Sequence, residues 1–268
     1  MRIFVVDAFT DQPFRGNPAG VCLVEGPAVS PSEGWMQRVA AEMRHSETAF
    51  VRPLESGGFE LRWFTPAVEV RLCGHATLAT AHVLFTEGLV AAGEAAEFHT
   101  KSGLLTVRST EKGLELDFPA VPAARLAEPP AGLAAGLGVE PGWVAHNAQN
   151  DILAVVPDAG TVRRLNPDLA LLATIDARGV CVTAPAEDSA PEDFVSRFFA
   201  PAVGIDEDPV TGSAHCMLAP YWADRLGRTT LTGRQLSERE GLVGTTVRDD
   251  RVLLTGRAVT ILKGDLLV

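Results

Sequence analysis

The chain has 268 residues, with 23 basic against 34 acidic side chains for a formal charge of −11. Hydrophobic residues make up 46% and charged ones 21%, which excludes a disordered chain. The acidic balance argues against nucleic acid or an anionic membrane surface as partner, because their phosphates would repel it. The length allows one large domain or two, each able to bury a core. The four cysteines, Cys22, Cys73, Cys181 and Cys216, are dispersed without a C-x-x-C, so neither a disulfide framework nor a zinc site is predicted. The opening residues MRIFVVDAFTD lack the pattern of a secretory leader, and no run approaches 18 apolar residues. A soluble, reduced, cytoplasmic protein is the expectation.

In chain order, strand-like runs at 2–9 and 19–24 flank the turn-rich DQPFRGNP, and a helix is predicted over 31–44 with Trp35, Val39, Ala40 and Met43 on one face. Short strands are predicted at 48–51, 59–64, 97–100, 104–107 and 114–118. Among them lies a helix over 74–85, GHATLATAHVLF, apolar nearly all round and therefore buried. The stretch 120–140, rich in Ala, Pro, Gly and Leu, marks a boundary with one short helix. Strands follow at 152–156, 180–183 and 193–199, then a second apolar helix over 212–226, then strands at 244–247, 251–255 and 258–262.

The second half repeats the first. Phe-Thr-Pro-Ala-Val from Phe64 precedes a helix opened by Gly74-His75-Ala76, and Phe-Ala-Pro-Ala-Val from Phe199 precedes one opened by Gly212-Ser213-Ala214. The phenylalanines are 135 residues apart, about half the chain. The fold class predicted is α+β: two pseudo-symmetric domains, each a barrel-like, mostly antiparallel sheet around a central apolar helix. The domains are set at 1–119 and 120–268, with the terminal strand near 258–268 able to join the first. A helix N-terminus that starts with Gly leaves unsatisfied N–H groups and favours an anion, so Gly74, Gly212 and Ser213 are the predicted binding positions for a small carboxylate in a cleft between the domains.

Four segments, VDAFTDQPFRGNPAGVCLV, SETAFV, CGHATLATAH and DEDPVTGSAHC, together resemble the PhzF-like isomerase family, relatives of diaminopimelate epimerase. A fifth, weaker match is Gln-x-Ser-x-Arg-x-Gly at Gln235, Ser237, Arg239 and Gly241. The resemblance implies the diaminopimelate epimerase-like fold, a homodimer, and cofactor-independent isomerisation by proton transfer. The family's named example acts on trans-2,3-dihydro-3-hydroxyanthranilate in phenazine synthesis. The resemblance places the catalytic acid/base on Glu47, the histidine on His75, the aspartate on Asp208 and the serine on Ser213.

Chemistry alone is more reserved about these positions. Glu47 borders the apolar run Thr48–Val51, which would raise its pKa towards the range useful for moving protons from carbon, but an exposed strand-end Glu reads the same way. His75 stands at a helix start, where the dipole disfavours imidazolium, or it is simply a cap. Asp208 is one of three acids ahead of a helix, and Ser213 is a cap, a carboxylate ligand or both. Asn17, Asn150 and Asp151 read mainly as turn residues, Arg71 as a candidate attractor of carboxylates, and His82 and His215 as packed core histidines. No metal-triad spacing, phosphate loop or Schiff-base lysine is present, so no metal and no cofactor are predicted.

Two rival functions remain. In a two-thiol racemase or epimerase, Cys73 at a helix start would need an opposed cysteine near 208–211, and none is there. The other rival is a non-catalytic small-acid-binding protein that keeps the fold.

Overall fold

A computed structural model describes residues 1–26 and 30–268. The chain divides into two compact units, Met1–Phe118 with Thr255–Val268, and Pro119–Leu254. The first unit holds β1 (Arg2–Ala8), β2 (Asn17–Leu23), α1 (Glu33–Met43), β3 (Glu47–Pro53), β4 (Phe59–Phe64), β5 (Glu69–Val70), α2 (Gly74–Thr86), β6 (Ala95–Thr100), β7 (Gly103–Thr110) and β8 (Gly113–Pro119). The second holds β9 (Ala124–Arg125), α3 (Leu133–Leu137), β10 (Trp143–His146), β11 (Asp151–Val155), α4 (Ala159–Arg164), α5 (Leu169–Leu172), β12 (Gly179–Pro185), β13 (Phe194–Ala200), β14 (Ile205–Asp208), α6 (Gly212–Leu226), β15 (Thr230–Gln235), β16 (Gly241–Arg248) and most of β17 (Arg251–Gly256). β18 (Ala258–Asp265) returns to the first unit, where it pairs antiparallel with β1.

Both units use one pairing scheme. In the first, β1 is antiparallel to β2, β2 parallel to β3, β3 antiparallel to β4, β4 parallel to β6, and β6 antiparallel to β7. In the second, the same relations hold for β10–β11, β11–β12, β12–β13, β13–β15 and β15–β16. The registers coincide as well: Phe64 lies opposite Thr48, and Phe199 opposite Val180. Ala19 lies opposite Glu47, and Asp151 opposite Gly179. Trp63 lies opposite Val70, and Phe198 opposite Asp208. These pairs establish which residues of the two halves are equivalent.

Burial on both faces explains the continuous apolar runs of the parallel pairs. In the second unit, Ile152, Ala154, Val180 and Val182 pack with Leu133, Leu137, Val162 and Leu172 of the short helices. Their neighbours Leu153 and Cys181 point the other way, to Ala214, Met217, Leu218 and Trp222 of α6. In the first unit, α2 packs against β1, β2, β3, β7 and β18. The opposite face carries Ile3, Cys22, Phe50 and Phe64 under Met36, Val39 and Ala40 of α1.

The apolar helix α6 contains Pro220. Proline has no N–H, so it orphans the carbonyl four residues earlier. That carbonyl belongs to Cys216, and the Val121 N–H donates to it at 3.0 Å. β14 and β15 escape the sequence reading because IDED and TLTGRQ are too polar to look like strands; pairing with β13 makes them so. His82 is a correction: it is only half-buried, and its Nε2 lies 3.0 Å from Thr260 Oγ1. His215 is fully buried, with Nδ1–H donating to the Thr211 carbonyl at 2.8 Å. No helix among the described residues is long and apolar enough to cross a membrane.

Candidate active site

In the first unit the sequence-predicted Glu47 and His75 come together. Glu47 is the first residue of β3, and His75 is the second of α2, whose N-cap is Cys73. Glu47 Oε2 lies 3.3 Å from His75 Nε2, and both side chains are largely shielded, at 13% and 5% exposure. His75 Nδ1 is met by the Asn17 side-chain amide at 3.2 Å and by Cys73 Sγ at 3.6 Å. Accepting the Asn17 N–H at Nδ1 leaves the ring proton on Nε2, facing the carboxylate. Burial, with the nearby His45 charge second, lowers the His75 pKa to about 3. The imidazole is therefore neutral, and its approach to Glu47 is a contact of a neutral ring with a carboxyl group rather than an ion pair. Their 3.3 Å separation lacks hydrogen-bond alignment.

Asn17 corrects the turn reading. It is fully buried and begins β2, opposite Ala8, so strand pairing rather than turn propensity sets its backbone. His75 is likewise no cap, because Cys73 occupies that position and makes no side-chain cap bond. Glu47, Cys73 and His75 offer an oxygen, a sulfur and a nitrogen all within 4.8 Å of one another, a donor set able to hold a metal ion. Sequence spacing could not show it, since β3 and the start of α2 meet only in the fold. Arg71 is exposed and donates to the Lys101 carbonyl at 3.3 Å.

In the second unit, Asp208 ends β14, and its Oδ2 accepts from the Thr211 hydroxyl at 2.6 Å. The Asp208–Thr211 loop is clamped by Gln235, whose amide donates to the Asp208 carbonyl at 2.6 Å and accepts the Thr211 N–H at 2.9 Å. Ser237 adds a bond to the Pro209 carbonyl at 2.8 Å. The weakest of the five motifs thus supports the loop of the DEDPVTGSAHC segment. Thr211 is the N-cap of α6, so Ser213 is not a cap. Its hydroxyl instead accepts from Arg178 Nη2 at 3.1 Å.

Arg178 was missed by sequence reasoning, and Asp151 was misjudged as a turn residue. Asp151 is completely buried at the start of β11 and grips Arg178 through both oxygens, at 2.8 Å to Nε and 2.6 Å to Nη2. Asn147 supports it with a side-chain bond at 3.2 Å. A buried carboxylate needs such partners. The acid at the head of an apolar strand was the available signal. Asn150 does serve a turn, with φ of 63°.

The shared registers allow the halves to be compared position by position. Glu47 corresponds to Gly179, Cys73 to Thr211, His75 to Ser213, and Val70 to Asp208. A side chain at Gly179 would place Cβ 2.4 Å from the Phe198 ring, so the second half has no room for a carboxylate there.

The family model of phenazine biosynthesis-like proteins (PhzC-PhzF) matches residues 6–264. An uncharacterized isomerase of Halalkalibacterium halodurans is 46% identical over 266 residues, covering 99% of this chain and 98% of its own. The phenazine biosynthesis-like domain-containing protein of Homo sapiens is 39% identical over 288 residues, 99% of each chain. Among solved structures, a PhzF-family phenazine biosynthesis protein of Enterococcus faecalis superposes with a TM-score of 0.92 at 41% identity, covering 100% of this chain and 99% of that one. A hydroxyproline epimerase of Agrobacterium vitis, with trans-4-hydroxy-L-proline bound, has a TM-score of 0.61 at 13% identity over 98% and 91% of the chains, a likeness of fold alone.

Proposed function

Because the chain belongs to the phenazine biosynthesis-like (PhzC-PhzF) family, we propose that it is an isomerase that moves a proton at carbon of a small carboxylate substrate, with Glu47 as general acid/base and without a cofactor. The observation that carries this reading is the pairing of Glu47 with a buried neutral imidazole, Nε2 to Oε2 at 3.3 Å. The Glu47 carboxylate takes a proton from carbon, breaking the C–H bond. The electron pair passes into the substrate's conjugated system, and the carboxylic acid returns the proton to another carbon. Substrate and product are isomers, and no oxidant or reductant is consumed. The neutral His75 ring stays beside the carboxylate, with Nε2 3.3 Å from Oε2. Asp208 is proposed as a catalytic residue with Glu47 and His75, Gly74, Gly212 and Ser213 as substrate-binding positions, and a homodimer as the assembly.

One carboxylate acting alone suits a proton shift better than a two-base racemisation, since the position equivalent to Glu47 is Gly179. The thiol reading is kept in view by Cys73 Sγ, 3.6 Å from His75 Nδ1. Against it, the equivalent of Cys73 is Thr211. Cys216 and Cys22 are buried, which pushes their thiols up to about 12.

The test is carbon–hydrogen exchange in heavy water over a panel of cyclic and α-amino acids, read by mass spectrometry. Wild-type protein, dialysed against a chelator, exchanges one carbon-bound proton of its substrate. Glu47→Gln, with an unchanged melting curve, loses about 10²–10⁴-fold. Exchange by Glu47→Gln at the wild-type rate would remove Glu47 from the mechanism, and complete loss of wild-type exchange on chelation would remove the cofactor-free reading.

A further inference from the structure

The duplicated scaffold places Glu47 at the start of β3, and at the corresponding start of β12 it has Gly179, preceded by Arg178. The two halves have therefore diverged chemically at neighbouring scaffold positions, since Gly179 matches Glu47 and Arg178 matches Ser46. Where the first half carries an acid, the second carries a held guanidinium.

That guanidinium is fixed, and only part of it is used. Its Nε and Nη2 form a fork on Asp151, at 2.8 and 2.6 Å, and Asp151 is wholly buried and further held by Asn147. The guanidinium carbon sits 5.4 Å from the centre of the Phe198 ring, a cation–π contact on a second side. Nη2 also donates to Ser213 Oγ at 3.1 Å, so the Nη1–Nη2 edge faces Ser213, the counterpart of His75. Nη1 has no hydrogen-bond partner among the described residues, and the side chain is 37% exposed. A purely structural arginine stapling β11 to β12 would need only the Asp151 fork. Both Nη2 donors are taken, by Asp151 and Ser213, so the open donors are those of Nη1; with the Ser213 hydroxyl proton beside it, Nη1–H makes a two-donor pair that matches a carboxylate, and orienting it in advance removes the ordering cost at binding.

We propose that Arg178 is the residue by which this protein recognises its substrate's carboxylate, gripping it through Nη1 together with the Ser213 hydroxyl, with Asp151 as the positioning residue that holds the guanidinium in place. This deepens the carboxylate-substrate reading given above and rests on it.

The experiment measures binding by calorimetry of anthranilate and L-proline, each against its neutral primary amide, with full-length protein. Wild type binds at least one carboxylate about 10–100-fold more tightly than its amide, the range of a charge-assisted hydrogen bond. Arg178→Gln loses that preference. Because this variant leaves Asp151 buried and uncompensated, Arg178→Gln/Asp151→Asn is the companion, replacing the ion pair by two amides with no buried charge. It also loses the preference while keeping its melting temperature within a few degrees of wild type. Asp151→Asn alone keeps the cation but frees it, and its preference falls without vanishing, which a merely structural role would not produce. Glu47→Gln keeps the full preference while losing exchange, so failure of the proton-transfer assignment and failure of this one are separate results. A folded double variant that still prefers carboxylates as wild type does, or a wild type that binds carboxylate and amide alike or neither, overturns the proposal.

Discussion

At the residue scale, the chemistry turns on which atoms burial neutralises. His75 and His215 are both enclosed, and burial lowers their pKa values to about 3 and about 4, from an ordinary value near 6.5. The unfolded chain binds protons in that interval that the folded chain does not, so stability is fully present above about 6.5 and is lost as pH falls. Urea midpoints measured between pH 7.5 and pH 5 should decline on acidification, and His215→Gln should flatten the slope whatever its effect on the midpoint at pH 7.5. An unchanged slope would mean that His215 titrates normally. The Cys73 thiol gives a second test. Cys73→Ser keeps the small polar N-cap of α2 and removes only the sulfur, and the second half offers Thr211 at the matching cap. Exchange activity should therefore stay within a few-fold of wild type, against the loss of about 10²–10⁴-fold for Glu47→Gln. A dead Cys73→Ser beside an active Glu47→Gln would return the mechanism to thiol chemistry.

At the scale of elements, glycine positions decide where side chains can exist. The positions of Gly179 and Gly233 in the second half are those of Glu47 and Phe98 in the first. A Cβ at Gly179 would meet Phe198 at 2.4 Å, and one at Gly233 would meet the Phe194 ring at 2.5 Å. Gly179 does not have positive φ, so the constraint there is space rather than backbone conformation. Gly179→Ala should cost about 1–3 kcal/mol by overpacking against Phe198, seen as a lower denaturation midpoint with an unchanged denaturant slope. A neutral result would show that Phe198 turns aside freely. The same scale explains which elements sequence could reveal. α2 and α6 were legible from their apolar bodies, and α6 tolerates Pro220 because the Val121 N–H satisfies the carbonyl that Pro220 leaves. β14 and β15 were not legible, since their residues are polar and their strand form comes from pairing with β13.

At the scale of the whole molecule, the first unit is discontinuous in sequence. β18 pairs with β1 over Arg2↔Asp265 to Ala8↔Ala258, and α2 packs on it too. Deleting residues 257–268 should strip β1 of one partner along its whole length and expose a strand edge, giving a lower melting temperature and a tendency to aggregate. A truncated chain that melts as the full one does would show that β18 contributes little. The sequence by itself determined the α+β class, the duplicated sheet around an apolar helix, the family, and the segments that carry Glu47, His75, Asp208 and Ser213. The class and the duplication are legible because hydrophobic period and a repeated Phe-x-Pro-Ala-Val are local properties of the chain, and the family and its segments because their motifs resemble the family's. Tertiary structure alone decided that Asn17 meets His75, that Gln235 clamps the Asp208 loop, and that Asp151 holds Arg178 beside Ser213. Each of these contacts joins residues 27 or more positions apart, and a hydrogen bond between distant residues leaves no periodic trace in sequence. Parallel strand pairing brings such residues side by side, and only the fold supplies that pairing.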